Sequence, residues 1–235
     1  IGSILNTEKP VELIYSNYSG KSKVSLPDGS EVWLHNNTTL KYPSIFEKKL
    51  RKVTLTGQAF FKVAKNTDAP FVVISEELET KVTGTQFNIL AYPDSEEIRI
   101  SLIEGSVHIR SKLNEQKLHK NEEAIYNKKS KELKMISGID SDNISILTKN
   151  RIHFEKKSLM QITESLSTWY GVEIEIDSVL ARKQFYTFTL KNEPLEEILR
   201  LMNRINPIRY TFDENNKLTI SEEKTKSNQK TNAYE

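Results

Sequence analysis

Side chains able to do chemistry are plentiful in this chain, yet few stand at spacings that chemistry uses. The four histidines, His35, His108, His119 and His153, form no H-x-H, H-E-x-x-H or H-x-x-E-H pair, the spacings that bring imidazoles to one metal ion. His108 and His153 fall between inward positions of strand patterns and read as solvent-facing. There is no cysteine, which removes thiol catalysis, disulfides and thiolate zinc sites and leaves the redox compartment open. No G-x-S-x-G elbow presents a nucleophile, and neither a P-loop nor a G-x-G-x-x-G turn cradles phosphate. Carboxylates gather at Glu76-Glu77-x-Glu79 and Glu96-Glu97, at turn edges where charge serves solubility or keeps strand edges apart. A glycoside hydrolase would need two carboxyl groups facing one cleft, roughly 5–10 Å apart. Asp140 and Asp142 begin like a calcium loop, but no Gly or bidentate Glu follows at EF-hand spacing, so a solvated turn is expected. These residues assign no catalytic role, no cofactor and no metal, and the expectation is a protein that is not an enzyme.

Aromatic side chains bear on recognition instead. Trp169 continues Ile162 and Leu166 along one helical stripe and belongs to a core. Trp33 lies between Val32 and Leu34; if those two face inward, the indole faces outward, toward a partner or beneath a covering loop. Phe60 and Tyr170 pose the same question. Trp33, Tyr170 and Tyr186 are the candidate partner-binding residues. An alternative reading, a carbohydrate-binding module, would use Trp33, Tyr42 or Tyr92 as stacking platforms.

The elements that must position these residues fall into two patterns. From Val24 to about Met135 the apolar period is two, with a turn signal at Pro27-Asp28-Gly29-Ser30 and further punctuation at Asn36-Asn37. About ten short strands at this spacing, without a long helical pattern, predict an antiparallel β-sandwich of jelly-roll type. Gly57, Gly84 and Gly105 each separate two alternating strands and mark bulges or corners where a strand passes between sheets, with an ordinary hairpin the alternative at Gly105. From Ile152 to Asp213 the chain repeats itself at an offset of 36 residues. Phe154 matches Leu190, Leu159 matches Leu195, Ile162 matches Ile198, Leu166 matches Met202, and Asp177 matches Asp213. Each copy reads strand, helix, strand, with Ser158 capping the first helix, Pro194 starting the second, and Gly171 and Pro207 ending them. With a last strand at Leu218–Ile220 this predicts a small βαβ-βαββ domain, both helices laid on one sheet. The fold class is therefore mainly β plus α+β.

The expected boundaries are a lead-in at 1–23, in which Val11–Tyr15 reads either as a strand or as a lead-in, and the all-β domain at 24–136. A linker follows at 137–148, the duplicated domain at 149–221, and a disordered tail at 222–235. Of the 235 residues 37% are hydrophobic and 28% charged, an ordinary globular balance. The net charge of +2 is spread evenly and leaves no basic surface for nucleic acid. No run approaches the roughly 20 apolar residues of a membrane span. The start has neither an initiator Met nor a signal pattern, so the chain reads as an excised soluble piece.

Several runs resemble the FecR family. They are Leu26–Leu34 (LPDGSEVWL), Leu40-x-Tyr42-Pro43, Leu55–Ala64 (LTGQAFFKVA), Pro70–Val73, Val82–Tyr92 (VTGTQFNILAY) and Glu104-Gly105-x-Val107. The segment FEKKSLMQITESLSTWYGVEIEID is similar to the C-terminal domain of FecR proteins of the Bacteroidetes type, itself similar to the short signalling domain of secretins and TonB-dependent transducers. The sequence departs from the family at Gln58 (usually Glu), His35 (usually Asn), Lys120-Asn121 (usually Pro-Gly) and Leu147 (often Trp). The resemblance implies the periplasmic part of a single-pass inner-membrane anti-sigma factor. Its partners would be the signalling domain of an outer-membrane TonB-dependent transducer and, through a cytoplasmic segment, an extracytoplasmic-function sigma factor. No nucleic acid is implied, and the membrane would be met only through a transmembrane helix outside this chain.

Overall fold

The longest strand, Arg51–Lys62, holds the N-terminal half together because it belongs to two sheets. A computed structural model of the chain describes residues 9–18, 20–191, 193–214 and 217–222. It divides into two units: the first reaches to Asn150 and includes Thr168–Gly171, and the second comprises Arg151–Ser167 and the chain from Val172 onward.

Thirteen described strands build the first unit. They are β1 (Glu12–Asn17), β2 (Ser22–Ser25), β3 (Glu31–Leu34), β4 (Thr38–Pro43), β5 (Arg51–Lys62), β6 (Phe71–Ser75), β7 (Leu78–Val82), β8 (Gln86–Ala91), β9 (Glu97–Glu104), β10 (Val107–Arg110), β11 (Glu115–Leu118), β12 (Glu122–Asn127) and β13 (Leu133–Ser137). One layer runs β1-β4-β5-β6-β7-β10-β11 and the other β2-β3-β5-β8-β9-β12-β13. The first half of β5 pairs with β4 and β6, and its second half with β3 and β8. Gly57 is the corner between them. Its φ is +103°, and a Cβ there would lie 2.5–2.8 Å from Thr38 and the Asn37 carbonyl, so only glycine fits. Gly84 and Gly105 stand at two further crossings between layers, β7 to β8 and β9 to β10. The β5–β6 pair is parallel, the one departure from the expected antiparallel sandwich among the first unit's described pairings.

The inner faces supply one core of alternating residues, among them Leu34, Leu55, Phe61, Phe71, Phe87, Ile100 and Tyr126. Phe61 stacks on Phe87 at 5.0 Å between centroids. The PDGS turn is tied in by charge. Asp28 accepts from the Ser30 backbone N–H (3.0 Å) and hydroxyl (2.7 Å) and from the buried Arg51 guanidinium (2.6 Å). Arg51 also donates to the carbonyls of Ala64, Asn66 and Ala69, so its charge is fully partnered in a dry site.

Within the expected linker at 137–148, Asp140 and Asp142 are solvent-exposed and the chain takes up short helical structure. Asp140 caps a short helix, α1 (Ser141–Ser145), accepting from the Asn143 N–H at 3.0 Å, and a 3-10 turn follows at Ile146–Thr148. Leu147 and Ile144 pack on Trp33, Phe60 and Ile103, a second small core on the outer face of the β2–β13 layer. The polar run ahead of them hides these apolar residues from a compositional reading.

From Arg151 onward the chain runs β14 (Ile152–Ser158), α2 (Leu159–Tyr170, its last turn counted with the first unit), β15 (Ile174–Ile176), α3 (Leu180–Lys183), β16 (Phe185–Leu190), α4 (Leu195–Ile205), β17 (Ile208–Phe212) and β18 (Leu218–Glu222). Ser158 and Gln161 form the reciprocal cap of α2, Gln161 N–H to Ser158 Oγ at 3.3 Å and Ser158 N–H to Gln161 Oε1 at 3.2 Å. Leu195, Ile198, Leu199 and Met202 form the buried stripe of α4. Asp177 and Asp213 play matching parts: each carboxylate closes a turn after its strand, on the N–H groups of Val179 and Leu180 in one copy and of Lys217 in the other. The single expected sheet is two. β14 pairs with β16, and β15 and β17 flank β18 in a three-stranded sheet, parallel on one side and antiparallel on the other. The two first strands of the repeat have met each other, while β18 separates the two second strands; periodicity specifies strands but not their neighbours. The expected tail lies outside the described residues from 223 on, and β18 extends to Glu222.

Candidate functional site

Among the described residues no group of three or more His, Asp or Glu side chains could hold a metal. The clustered carboxylates are ion-paired. Glu76 meets Lys128 at 2.5 Å, Glu77 meets Lys131, Glu96 meets Lys129, Glu79 meets Arg110 at 2.9 Å and Glu97 meets Arg99 at 2.9 Å. The Lys131 hydrogen bond holds the Glu77 carboxyl below its usual range, as Lys129 does for Glu96. Burial and the neighbouring Glu77 carboxylate push the Tyr126 phenol up to about 12. These contacts fasten the turn after β12 to the turns after β6 and before β9, a structural use of charge.

His108, His119 and His153 are exposed. His35 is not: it is fully buried at the end of β3, and among the described residues neither ring nitrogen has a partner. Its backbone N–H donates to the Gln58 carbonyl at 3.0 Å, and the buried Gln58 Oε1 is also unpartnered. Two of the positions at which the sequence departs from its FecR resemblance thus lie side by side, and each leaves a buried polar atom unsatisfied. Burial, with the Lys21 ammonium adding to it, pushes the imidazole down to about 3. Strand periodicity gives no sign of this, because His35 lies just beyond the alternating run.

The expected partner-binding aromatics do not present their rings. Trp33 is 8% exposed, set edge-on to Phe60 at 5.9 Å and covered by Leu147, with the Lys23 ammonium 4.9 Å from its ring. Tyr186 is 1% exposed, its hydroxyl donating to Gln184 Oε1 at 2.5 Å, and Tyr170 is 9% exposed. The covering segment and local packing use these rings as core in this chain. Tyr42 and Tyr92 are half-buried: Tyr42 packs against the main core, and the Tyr92 hydroxyl donates to the Asn36 carbonyl at 3.0 Å.

Backbone groups are also open to a partner. Among the described residues β17 pairs only with β18. The Ile208 N–H is taken by Asn203 Oδ1 at 2.9 Å, whereas the Asp213 N–H turns inward to the Lys217 carbonyl at 3.0 Å. Alternation then directs the N–H and C=O groups of Arg209 and Thr211 to β18 and those of Tyr210 and Phe212 to the free edge. Phe212 is 38% exposed, and Arg209 and Thr211 face solvent. This edge, with an exposed aromatic beside it, has the geometry that accepts an added strand. Sequence reasoning places a strand here but cannot show that it lies at an edge.

Comparison with known proteins follows the same division. No curated protein matches the chain. Two crystal structures of a candidate anti-sigma factor from Parabacteroides distasonis, at 2.50 and 1.65 Å resolution, are similar over 91% of this chain at 26% identity, with TM-scores of 0.61 and 0.60. They are covered over 100% and 99% of their own length. Residues 12–108 match the family described as FecR protein, and residues 151–220 match that described as FecR, C-terminal. With both matches in order over most of its length, the chain belongs to the FecR family.

Proposed function

We propose that this chain is the signal-relay region of a transmembrane anti-sigma factor, lying in the periplasm. It takes its signal from the signalling domain of an outer-membrane TonB-dependent transducer and passes it toward an extracytoplasmic-function sigma factor. A regulatory anti-sigma role is the family's; the transducer, the compartment and the route are this reading's own. The relay works by contact and involves no bond-making chemistry. Among the described residues no helix is long and apolar enough to cross a membrane, so the crossing is assigned to a segment outside this chain.

The observation that carries the reading is the free β17 edge within the part that matches the family's C-terminal domain. A strand from the transducer's signalling domain would extend the β15-β18-β17 sheet there, with backbone bonds supplying affinity and Phe212 a side-chain contact. The test is a calorimetric titration of this chain with the signalling domain of the transducer encoded beside it. Tyr210→Pro removes one outward N–H without touching the β17–β18 ladder and should weaken binding at least about tenfold, while the circular dichroism spectrum stays unchanged. Absence of binding at high micromolar concentration, or equal binding by the Tyr210→Pro variant, overturns the proposal.

A further inference from the structure

We infer that β1 is a self-association strand, through which two copies of this chain join edge to edge.

The four outer edges of the first unit's two layers are β1, β11, β2 and β13. Three of them carry a lysine within the strand, Lys117, Lys23 and Lys134, the usual device against edge-to-edge pairing. β1, with sequence ELIYSN, carries none. Its side chains are exposed on both faces: Ile14 by 60%, Leu13 by 40% and Tyr15 by 38%, with Val11 beside them at 62%. An apolar strand of this kind, unguarded in a unit whose other three outer edges each carry a lysine, marks a contact surface.

The register of β1 identifies the occupant as a second copy. Val11 donates its N–H to Ser44 Oγ (3.0 Å) and accepts from the Ser44 N–H (2.7 Å), so its backbone faces β4. By alternation Leu13, Tyr15 and Asn17 also face β4, and Glu12, Ile14 and Ser16 aim their N–H and C=O groups at the open edge. An antiparallel pair centred on Ile14 sets Ile14 opposite its twin, Leu13 opposite Tyr15 and Glu12 opposite Ser16. Apolar meets apolar, and the one charged side chain of the strand, Glu12, meets a hydroxyl rather than its own like. All the outward donors and acceptors of Glu12, Ile14 and Ser16 are then used. Moving the centre to Leu13 sets Ser16 opposite Pro10, which has no N–H to give, so the Ile14 register keeps more bonds. The contact is isologous, as a two-fold pair requires, and continues the β1-containing layer across both copies.

The absence of cysteine allows a direct test. In the Ile14 register the twin residues stand about 5.5 Å apart at Cα, within the reach of a disulfide. Ile14→Cys should give disulfide-linked dimer under mild oxidation, several-fold more than Ile45→Cys, a control at an equally open position, 53% exposed. Sedimentation at rising concentration should show a monomer–dimer equilibrium in the unmodified chain. Ser16→Lys, which places an ammonium opposite Glu12 twice, should tighten it about tenfold; Glu12→Lys combined with Ser16→Lys, which opposes like charges twice, should abolish it. Equal cross-linking of Ile14→Cys and Ile45→Cys, or an unmodified chain monomeric throughout the range, overturns the inference. These outcomes are independent of whether a transducer binds β17.

Discussion

Acid should destabilise the first unit through one side chain, His35. The imidazole is buried without a hydrogen-bond partner on either nitrogen among the described residues, and its pKa is pushed down to about 3 by burial and, secondarily, by Lys21. Unfolded, it titrates near the ordinary value of about 6.5. The neutral ring is thus the native form, and below about pH 6.5 the unfolded chain binds a proton that the folded chain refuses until about pH 3. Stability from this residue is complete above the unfolded pKa and falls with pH by about 1.4 kcal/mol per unit. Between about pH 8 and pH 5 the loss is about 2 kcal/mol, and it levels off near the folded pKa. The assay is urea unfolding at fixed salt, read by Trp33 fluorescence in a Trp169→Phe background, for His35 and for His35→Gln. The paired carboxylates titrate in both proteins and cancel in the difference, so the histidine protein should lose about 2 kcal/mol more than the variant over this range. Superimposable pH profiles would refute the reasoning. Should the variant fail to fold, nuclear magnetic resonance of the His35 ring in the unmodified chain decides it: an imidazolium at pH 5 in the folded protein defeats the argument.

The remaining predictions concern the frame that holds the surfaces. Asp28→Ala leaves the Arg51 guanidinium buried beside carbonyls alone and should cost about 3–5 kcal/mol in chemical denaturation; a loss under 1 kcal/mol would show the pair to be dispensable. Gly57→Ala forces a Cβ into backbone contacts of 2.8 Å at positive φ and should cost at least about 3 kcal/mol, against about 1 kcal/mol for the same change at Gly29, where φ is also positive (+83°) but nothing lies within 4 Å. Leu147→Ala should cost about 2–4 kcal/mol and shift the Trp33 emission to the red as water reaches the indole; an unshifted spectrum would mean that Leu147 is not the cover.

Much of the fold was legible because local patterns carried it. Alternation located the strands of the first unit, the 36-residue repeat located both helices of the second, and Ser158, Pro194, Gly171 and Asp177 ended or began elements as their chemistry requires. The three Gly-marked corners also belong here, since a positive φ between two alternating runs leaves a trace in composition. Leu147 was harder: it sits in a polar stretch, and its burial depends on Trp33 and Phe60, more than eighty residues earlier.

What the sequence by itself determined, then, is the series of elements, their caps and corners, and through its motifs the family. Tertiary structure alone decided which strands became edges, because hydrogen-bond partners in a sheet are far apart in sequence and leave no local signal. It made β18 the centre and β17 a border, left β1 open beside β4, turned Trp33, Tyr170 and Tyr186 inward, and buried His35 without a partner. The surfaces proposed to meet other chains, at β17 and β1, are rows of backbone groups, present at every residue and exposed only where the fold supplies no neighbour.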